Sequence, residues 1–256
     1  MIFNTHTHLN SEELYPIHEE LVKNALENNV LKLVVVGFDL DSSKKAIEIA
    51  NKYDFIYASV GICPTEIRED SVIEYEEYEK LLSNPKVVAV GEVGLDYYYE
   101  TTAKEKQKEC LLKFIEMANR HDLPIIIHSR DALLDTFNFL KENEVKNKGI
   151  MHCYSGSKEA ALDFVKLGYY ISLAGPVTFK NARVPKEVAS SVPLEWLLVE
   201  TDDPYLTPHP HRGKRNEPKN VTFVVDEIAK IKGVPYEEVA KTTFENAEKV
   251  FKLCKK

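Results

Sequence analysis

The chain has 256 residues, a formal net charge of −8, and 44% hydrophobic and 29% charged residues. This composition provides enough apolar side chains for a large buried core and excludes an intrinsically disordered chain. The acidic balance argues against a protein that coats nucleic acid through bulk electrostatics, because such binding depends on lysine and arginine. A local nucleic-acid contact stays open, since bound metal ions can supply positive charge.

Eight short runs rich in β-branched and apolar residues predict strands at 2–8, 31–37, 55–61, 87–92, 124–128, 149–154, 169–174 and 196–202. Helical spacing follows at 42–53, 104–121, 132–142 and 158–167, and again at 221–232 and 235–252 beyond the last strand. The segment 179–191 contains Pro185, which predicts a short or irregular helix. This β-α alternation predicts one domain, residues 1–256, of the α/β class, folded as a single (β/α)8 TIM barrel.

The four cysteines include no C-x-x-C pair, which favours a reducing environment over a disulfide framework. No secretory signal pattern is present, and no apolar stretch approaches the roughly 20 residues of a membrane helix. We therefore expect a cytoplasmic protein without membrane association, and the sequence gives no sign of an obligate protein partner.

Metal-ligating side chains recur at or near the predicted carboxyl ends of strands. His6 and His8 are two residues apart on the first strand and therefore point to one face. The others are Glu92, His128, His152 and Asp202. Taken alone, His128 or His152 could be a hydrogen-bonded core histidine, and Glu92 or Asp202 could cap the following helix. Six such groups at one rim of a barrel would be costly without a cation, so together they predict a divalent-metal site.

Several motifs extend this pattern over nearly the whole chain: THTHL (5–9), GEVGLDY (91–97), LPIIIHSR (123–130), HCYSG (152–156), LVETDDPYL (198–206) and RGKRNEP (212–218). In these segments the chain resembles the TatD-family metal-dependent deoxyribonucleases, which are amidohydrolase-like TIM barrels. The resemblance implies two divalent metal ions, with Mg or Mn expected in function and Zn, Co or Ni also compatible. It implies that His6, His8 and Asp202 hold one ion, that His128 and His152 hold the other, and that Glu92 bridges both.

The resemblance also implies an activity, the trimming of DNA from 3′ ends, so DNA is the expected substrate, single-stranded or at 3′ ends. Asp202 and Glu92 are the expected catalytic residues, with Asp202 orienting or deprotonating the attacking water. Arg130 and Arg212 are candidate phosphate contacts. The tyrosines at 97–99 could stack on a base, and Cys153 is expected to pack away from the site.

Some positions depart from the family pattern. Residues 61–65 read GICPT where the family commonly has Gly-x-His-Pro-His, so Cys63 stands at a position expected near the substrate phosphate. Asn4 and Asn10 stand where aspartates are common. Two alternatives therefore stay open: a hydrolase that cleaves an amide, cyclic amide, ester or lactone on the same centre, and a non-catalytic metal-binding barrel.

Overall fold

The computed structural model describes residues 1–99 and 103–254. Its strands are β1 (Ile2–Thr7), β2 (Val30–Val36), β3 (Ile56–Val60), β4 (Val87–Asp96), β5 (Ile125–Arg130), β6 (Gly149–Met151), β7 (Tyr169–Leu173) and β8 (Leu197–Val199). Its helices are α1 (His18–Glu27), α2 (Leu40–Lys52), α3 (Tyr75–Leu81), α4 (Lys104–Arg120), α5 (Leu133–Glu142), α6 (Lys158–Lys166), α7 (Arg183–Ser191), α8 (Val221–Lys232) and α9 (Tyr236–Val250).

The strands form one eight-stranded sheet in chain order, β1 to β8. This order, with a helix between successive strands, is that of the (β/α)8 fold. The chain also divides into two compact units, Met1–Val34 with Cys153–Lys256, and Val35–His152. The single domain over residues 1–256 stays a prediction.

In the unit Val35–His152, strands β3 to β6 pair in parallel. All ten residues of β4 are buried, as expected for a parallel strand covered on both faces. Helix α2 begins with a capping box, in which the Asp39 side chain accepts from the backbone N–H of Ser42 and the Ser42 hydroxyl accepts from the backbone N–H of Asp39. This cap fixes the residue at which α2 begins.

In the other unit, β7 pairs in parallel with β8. The predicted irregularity around Pro185 is confirmed, because α7 begins only at Arg183 and a short 3-10 helix precedes it at Gly175–Thr178. Proline is tolerated in the first helical turn, where backbone N–H groups have no intrahelical acceptor. Helix α8 ends at Lys232, and Gly233 directly after it has a φ of 66°, the left-handed conformation that glycine adopts readily.

Several predicted strand ends are wrong, and they matter for the site. Strand β4 continues beyond Glu92 to Asp96, and β5 continues beyond His128 to Arg130. Strand β6 ends at Met151 and β8 at Val199, so His152 and Asp202 lie in the segments that follow them. Apolar periodicity gave the strand positions but not their ends, because pairing with neighbouring strands decides where each strand stops.

Candidate metal centre

The first cluster of donors lies in the unit that contains both chain termini. The Nε2 atoms of His6 and His8 are 3.1 Å apart. Asp202 Oδ1 lies 3.6 Å from His6 Nε2 and 3.4 Å from His8 Nε2. Both histidines are buried, and the Asp202 side chain is 17% exposed. Two donors on β1 and a third from the segment after β8 therefore converge on one small volume.

Backbone hydrogen bonds explain this convergence. The Asp202 N–H donates to the His6 carbonyl at 3.1 Å, and the His8 N–H donates to the Asp203 carbonyl at 3.2 Å. The segment after β8 thus runs alongside β1 at the two histidines. Asp202 itself has a φ of 54°, a left-handed conformation that aspartate tolerates better than most residues and that is common at functional sites.

Hydrogen bonds from buried polar side chains hold the segment after β8 in place. Asn4 donates to Thr201 Oγ1 at 2.8 Å and accepts from the Thr201 N–H at 3.1 Å. Asp203 is fully buried and accepts hydrogen bonds from the hydroxyls of Thr7 and Thr201. Burial raises the pKa of Asp203 to about 6, although these hydrogen bonds partly offset the rise. The departure at Asn4 therefore has a structural role, because its amide and carbonyl groups both bind Thr201.

The second cluster lies in the unit Val35–His152 and centres on one oxygen. Glu92 Oε1 is 2.8 Å from His128 Nδ1 and 3.1 Å from His152 Nε2, and these two nitrogens are 3.2 Å apart. Glu92 and His152 are buried. Gly94 lets β4 approach β5 here, since a Cβ on it would lie 2.0 Å from the His128 carbonyl oxygen.

Asp96 determines how His128 faces this cluster. Its Oδ2 lies 2.9 Å from His128 Nε2, so Nε2–H donates to the carboxylate and leaves Nδ1 directed at Glu92. Burial alone would lower the pKa of His128, but the hydrogen bonds to Asp96 and Glu92 outweigh it and raise that pKa. Burial likewise opposes ionisation of Asp96, yet its hydrogen bonds from His128 and the Tyr98 N–H lower its pKa overall.

Cys63 lies against the same cluster. Its Sγ is 3.3 Å from Glu92 Oε1 and accepts a hydrogen bond from the Thr65 hydroxyl at 3.1 Å. One donor atom each from Cys63, Glu92 and His128 lies within 4.8 Å of the others. Burial, and then the Glu92 carboxylate, raise the pKa of the Cys63 thiol. The family departure at this position therefore places sulfur beside the Glu92 carboxylate.

Both clusters fit a divalent ion by their donor spacing. Donors bound at about 2.0–2.2 Å to one ion lie about 2.8–3.6 Å from each other in octahedral or tetrahedral geometry. The separations among His6, His8 and Asp202 are 3.1, 3.4 and 3.6 Å, and those around Glu92 are 2.8, 3.1 and 3.2 Å. Mixed imidazole and carboxylate donors suit Zn, Mn and Co and are compatible with Mg.

The two predicted arginine contacts both rest on aromatic rings. The Arg130 guanidinium carbon is 3.6 Å from the centroid of Tyr98, whose side chain is 55% exposed. The guanidinium carbon of Arg212 is 4.1 Å from the centroid of Phe179. Stacking of this kind leaves the edge N–H groups available to an anion.

One expectation about a neighbouring residue changes with the structure, and three buried carboxylates have contacts that the sequence did not indicate. The expectation that Cys153 lies on the sixth strand is wrong, because β6 ends at Met151; that its side chain packs rather than binds metal stays a prediction. Cys153 has a φ of 42°, and its N–H donates to Glu200 Oε1 at 2.6 Å. The buried carboxylates of Asp96, Glu200 and Asp203 were not assigned a role from the sequence. Their position inside the GEVGLDY and LVETDDPYL motifs was the available signal.

Comparison with known proteins shows the family to which the chain belongs. The family model described as TatD related DNase matches residues 3–252. The chain belongs to the TatD family. It is 45% identical over 254 residues to the uncharacterized metal-dependent hydrolase YabD of Bacillus subtilis, covering 99% of this chain and 100% of YabD. It is 35% identical over 256 residues to the uncharacterized metal-dependent hydrolase YcfH of Escherichia coli K12, covering 98% and 96%.

A solved TatD homologue confirms the fold class. The crystal structure of YJJV from Escherichia coli K12 matches with a TM-score of 0.94 and 29% identity, covering 98% of each chain. The predicted α/β class and (β/α)8 architecture are therefore correct, and this TatD-family protein is a metal-dependent hydrolase. Among its described residues, no helix combines the length and apolar character needed to cross a bilayer.

Proposed function

We propose that this TatD-family hydrolase is a cytoplasmic deoxyribonuclease that removes nucleotides from the 3′ ends of DNA. The observation that carries the proposal is the pair of donor clusters, each with spacing suited to a divalent ion. In this proposal His6, His8 and Asp202 hold one ion, and His128 and His152 hold a second. The assignment of Glu92 as the bridge between the ions comes from the family resemblance.

Bound divalent cations would lower the pKa of a water molecule to about 7 and neutralise charge on a phosphodiester. The protein's own groups supply the rest. Asp202 orients the attacking water and accepts its proton on a carboxylate oxygen. The Asp96 carboxylate keeps the proton of His128 on Nε2, so that Nδ1 stays available as a ligand.

Arg130 supports a phosphate substrate over an uncharged one. It lies two residues after His128 on β5, so the two side chains leave the same face of the strand. Its stacking on Tyr98 orients the guanidinium group, whose N–H donors match the oxygens of a phosphate. In this proposal Arg130 binds the phosphate that flanks the scissile bond. Arg212, stacked on Phe179, is a second phosphate contact in this proposal.

The test uses metal-free protein restored with Mg, Mn, Zn or Co one at a time. Substrates are 5′-labelled single-stranded DNA and RNA of the same sequence. We expect ion-dependent shortening of DNA from its 3′ end. Asp202→Asn and Glu92→Gln should each lower the rate by about 10²-fold or more, as expected for loss of an acid–base or ligand group.

Matched controls separate chemistry from folding. Glu79→Gln removes another partly buried glutamate, which accepts from Arg120 and His121 outside the cluster, and Asp226→Asn removes an aspartate on α8. Both should keep the parent rate. Full activity of Asp202→Asn would contradict the assignment.

Other results would favour the alternatives. Absence of DNA cleavage with every ion, together with turnover of an amide, ester or lactone, would favour a different hydrolase on the same centre. A protein that binds no ion, and whose melting temperature does not change when Mn or Zn is added, would indicate a non-catalytic barrel.

A further inference from the structure

The cluster around Glu92 contains a sulfur atom that the proposed ion set does not use. Cys63 is separated from Glu92 by 29 positions, yet its Sγ is 3.3 Å from Glu92 Oε1. The His128 and His152 nitrogens approach the same oxygen. One carboxylate oxygen thus has two imidazole nitrogens and a thiol around it, all in the unit Val35–His152.

We propose that Cys63 is a ligand of the ion held by His128 and His152, and that it makes this site selective for a thiophilic divalent ion such as Zn²⁺ over Mg²⁺. The inference rests on the metal-binding part of the proposed function. On coordination a sulfur–metal bond forms, and the thiol proton passes to the buffer.

Geometry favours coordination over simple packing. Zinc–sulfur bonds are about 2.3 Å and zinc–nitrogen bonds about 2.0–2.1 Å, so donors to one ion lie within about 4.4 Å of each other. The donor atoms of Cys63, Glu92 and His128 already lie within 4.8 Å, so a small side-chain movement closes the set. Cys63 is only 7% exposed, so its partners are the Glu92 carboxylate, to which the thiol donates, and the Thr65 hydroxyl rather than solvent.

Local backbone structure holds the sulfur at this place. The Cys63 N–H donates to the Phe38 carbonyl at 2.8 Å, and Pro64 begins a short 3-10 helix directly after it. The Thr65 hydroxyl, 3.1 Å from Sγ, donates to the sulfur and would stabilise negative charge on it. A thiolate is a soft ligand, which favours Zn²⁺ and Co²⁺ and disfavours Mg²⁺.

The test is the absorption spectrum of the metal-free protein during titration with Co²⁺. We expect a sulfur-to-cobalt charge-transfer band in the parent protein and in the control variants Cys110→Ser and Cys153→Ser. We expect no such band in Cys63→Ser. A band that persists in Cys63→Ser, or that is absent from the parent protein, would overturn the proposal.

Ion affinities provide a second readout. In competition with a chromogenic chelator, Cys63→Ser should bind Zn²⁺ roughly tenfold or more weakly, with a much smaller change for Mg²⁺. Cys63→His, which restores the family's usual residue, should recover part of the Zn²⁺ affinity through its nitrogen. Equal loss for both ions would contradict thiolate ligation.

If Cys63→Ser fails to fold, sulfur ligation can still be tested on the unaltered protein. X-ray absorption at the zinc edge of the unaltered protein should contain a sulfur scatterer at about 2.3 Å. A first shell of nitrogen and oxygen alone would refute the proposal. The result is separable from the nuclease assay, because a cobalt–sulfur band without DNA cleavage would contradict only the proposed activity. DNA cleavage without that band would contradict only the role of Cys63.

Discussion

Asp96→Asn tests the orientation of the second cluster. Asp96 is 1% exposed, and its Oδ2 accepts from His128 Nε2 at 2.9 Å. Asparagine has nearly the same shape. Because the Tyr98 N–H donates to Oδ1, the asparagine carbonyl oxygen keeps that position and its N–H₂ group faces His128 Nε2. His128 would then place its proton on Nδ1 and accept from asparagine through Nε2. A protonated Nδ1 cannot bind an ion, so the substitution removes the His128 ligand without removing the ring.

The expected loss of metal affinity can be taken from other carboxylates that orient a metal-bound histidine. Replacing a carboxylate that orients a metal-bound histidine costs about 10–100-fold in metal affinity, or about 1.4–2.7 kcal/mol. We expect Asp96→Asn to weaken Zn²⁺ binding at one of the two positions by this factor. The substitution leaves His6, His8 and Asp202 unchanged, so the ion that they hold should lose less affinity.

The assay is chelator competition, with circular dichroism to check folding. Asp135→Asn is the matched control, because Asp135 also accepts from a ring side chain, Tyr97 at 2.9 Å, yet lies outside the cluster. Parent-like Zn²⁺ affinity of a folded Asp96→Asn protein would refute the reasoning about the tautomer.

Three further substitutions test contacts that are expected to stabilise the fold. Asn4→Ala leaves the buried Thr201 N–H without its acceptor and should lower the free energy of unfolding by about 1–3 kcal/mol in a denaturant titration. A change near zero would contradict the structural role of the hydrogen bonds between Asn4 and Thr201. Gly94→Ala places a Cβ 2.0 Å from the carbonyl of the facing strand and should lower the melting temperature by several degrees or prevent folding. The Arg120 hydrogen bond lowers the pKa of Glu79, so stability from this pair is present above the ordinary glutamate pKa and is lost as pH falls through the lowered value. The difference in unfolding free energy between the parent and Glu79→Gln should therefore shrink in acid, and a difference that grew would contradict this sign.

The sequence predicted most elements of the fold because their patterns are local. The helix predicted at 104–121 is observed at Lys104–Arg120, and that at 221–232 is observed at Val221–Lys232. Helices α1 and α3 were not among the predicted segments. Strand ends were the weakest part, since β4 extends to Asp96 only because its last residues pair with β5.

For the site, the sequence identified the donor types but not their partners. His6 and His8 could be paired by strand alternation alone. Their distance to Asp202 required the backbone hydrogen bonds that join β1 to the segment after β8. Asp96 was visible in a motif, but nothing local in the chain says that it binds His128, 32 positions away.

The α/β alternation, the eight strands and the TatD-family motifs can all be recognised from the amino-acid sequence, because periodicity and residue type are local properties of the chain. The folded chain was needed to show which nitrogen of His128 faces Glu92 and that the Cys63 sulfur lies beside the same carboxylate. Side-chain direction is set by packing and hydrogen bonds between residues distant in sequence, and no local pattern encodes those contacts.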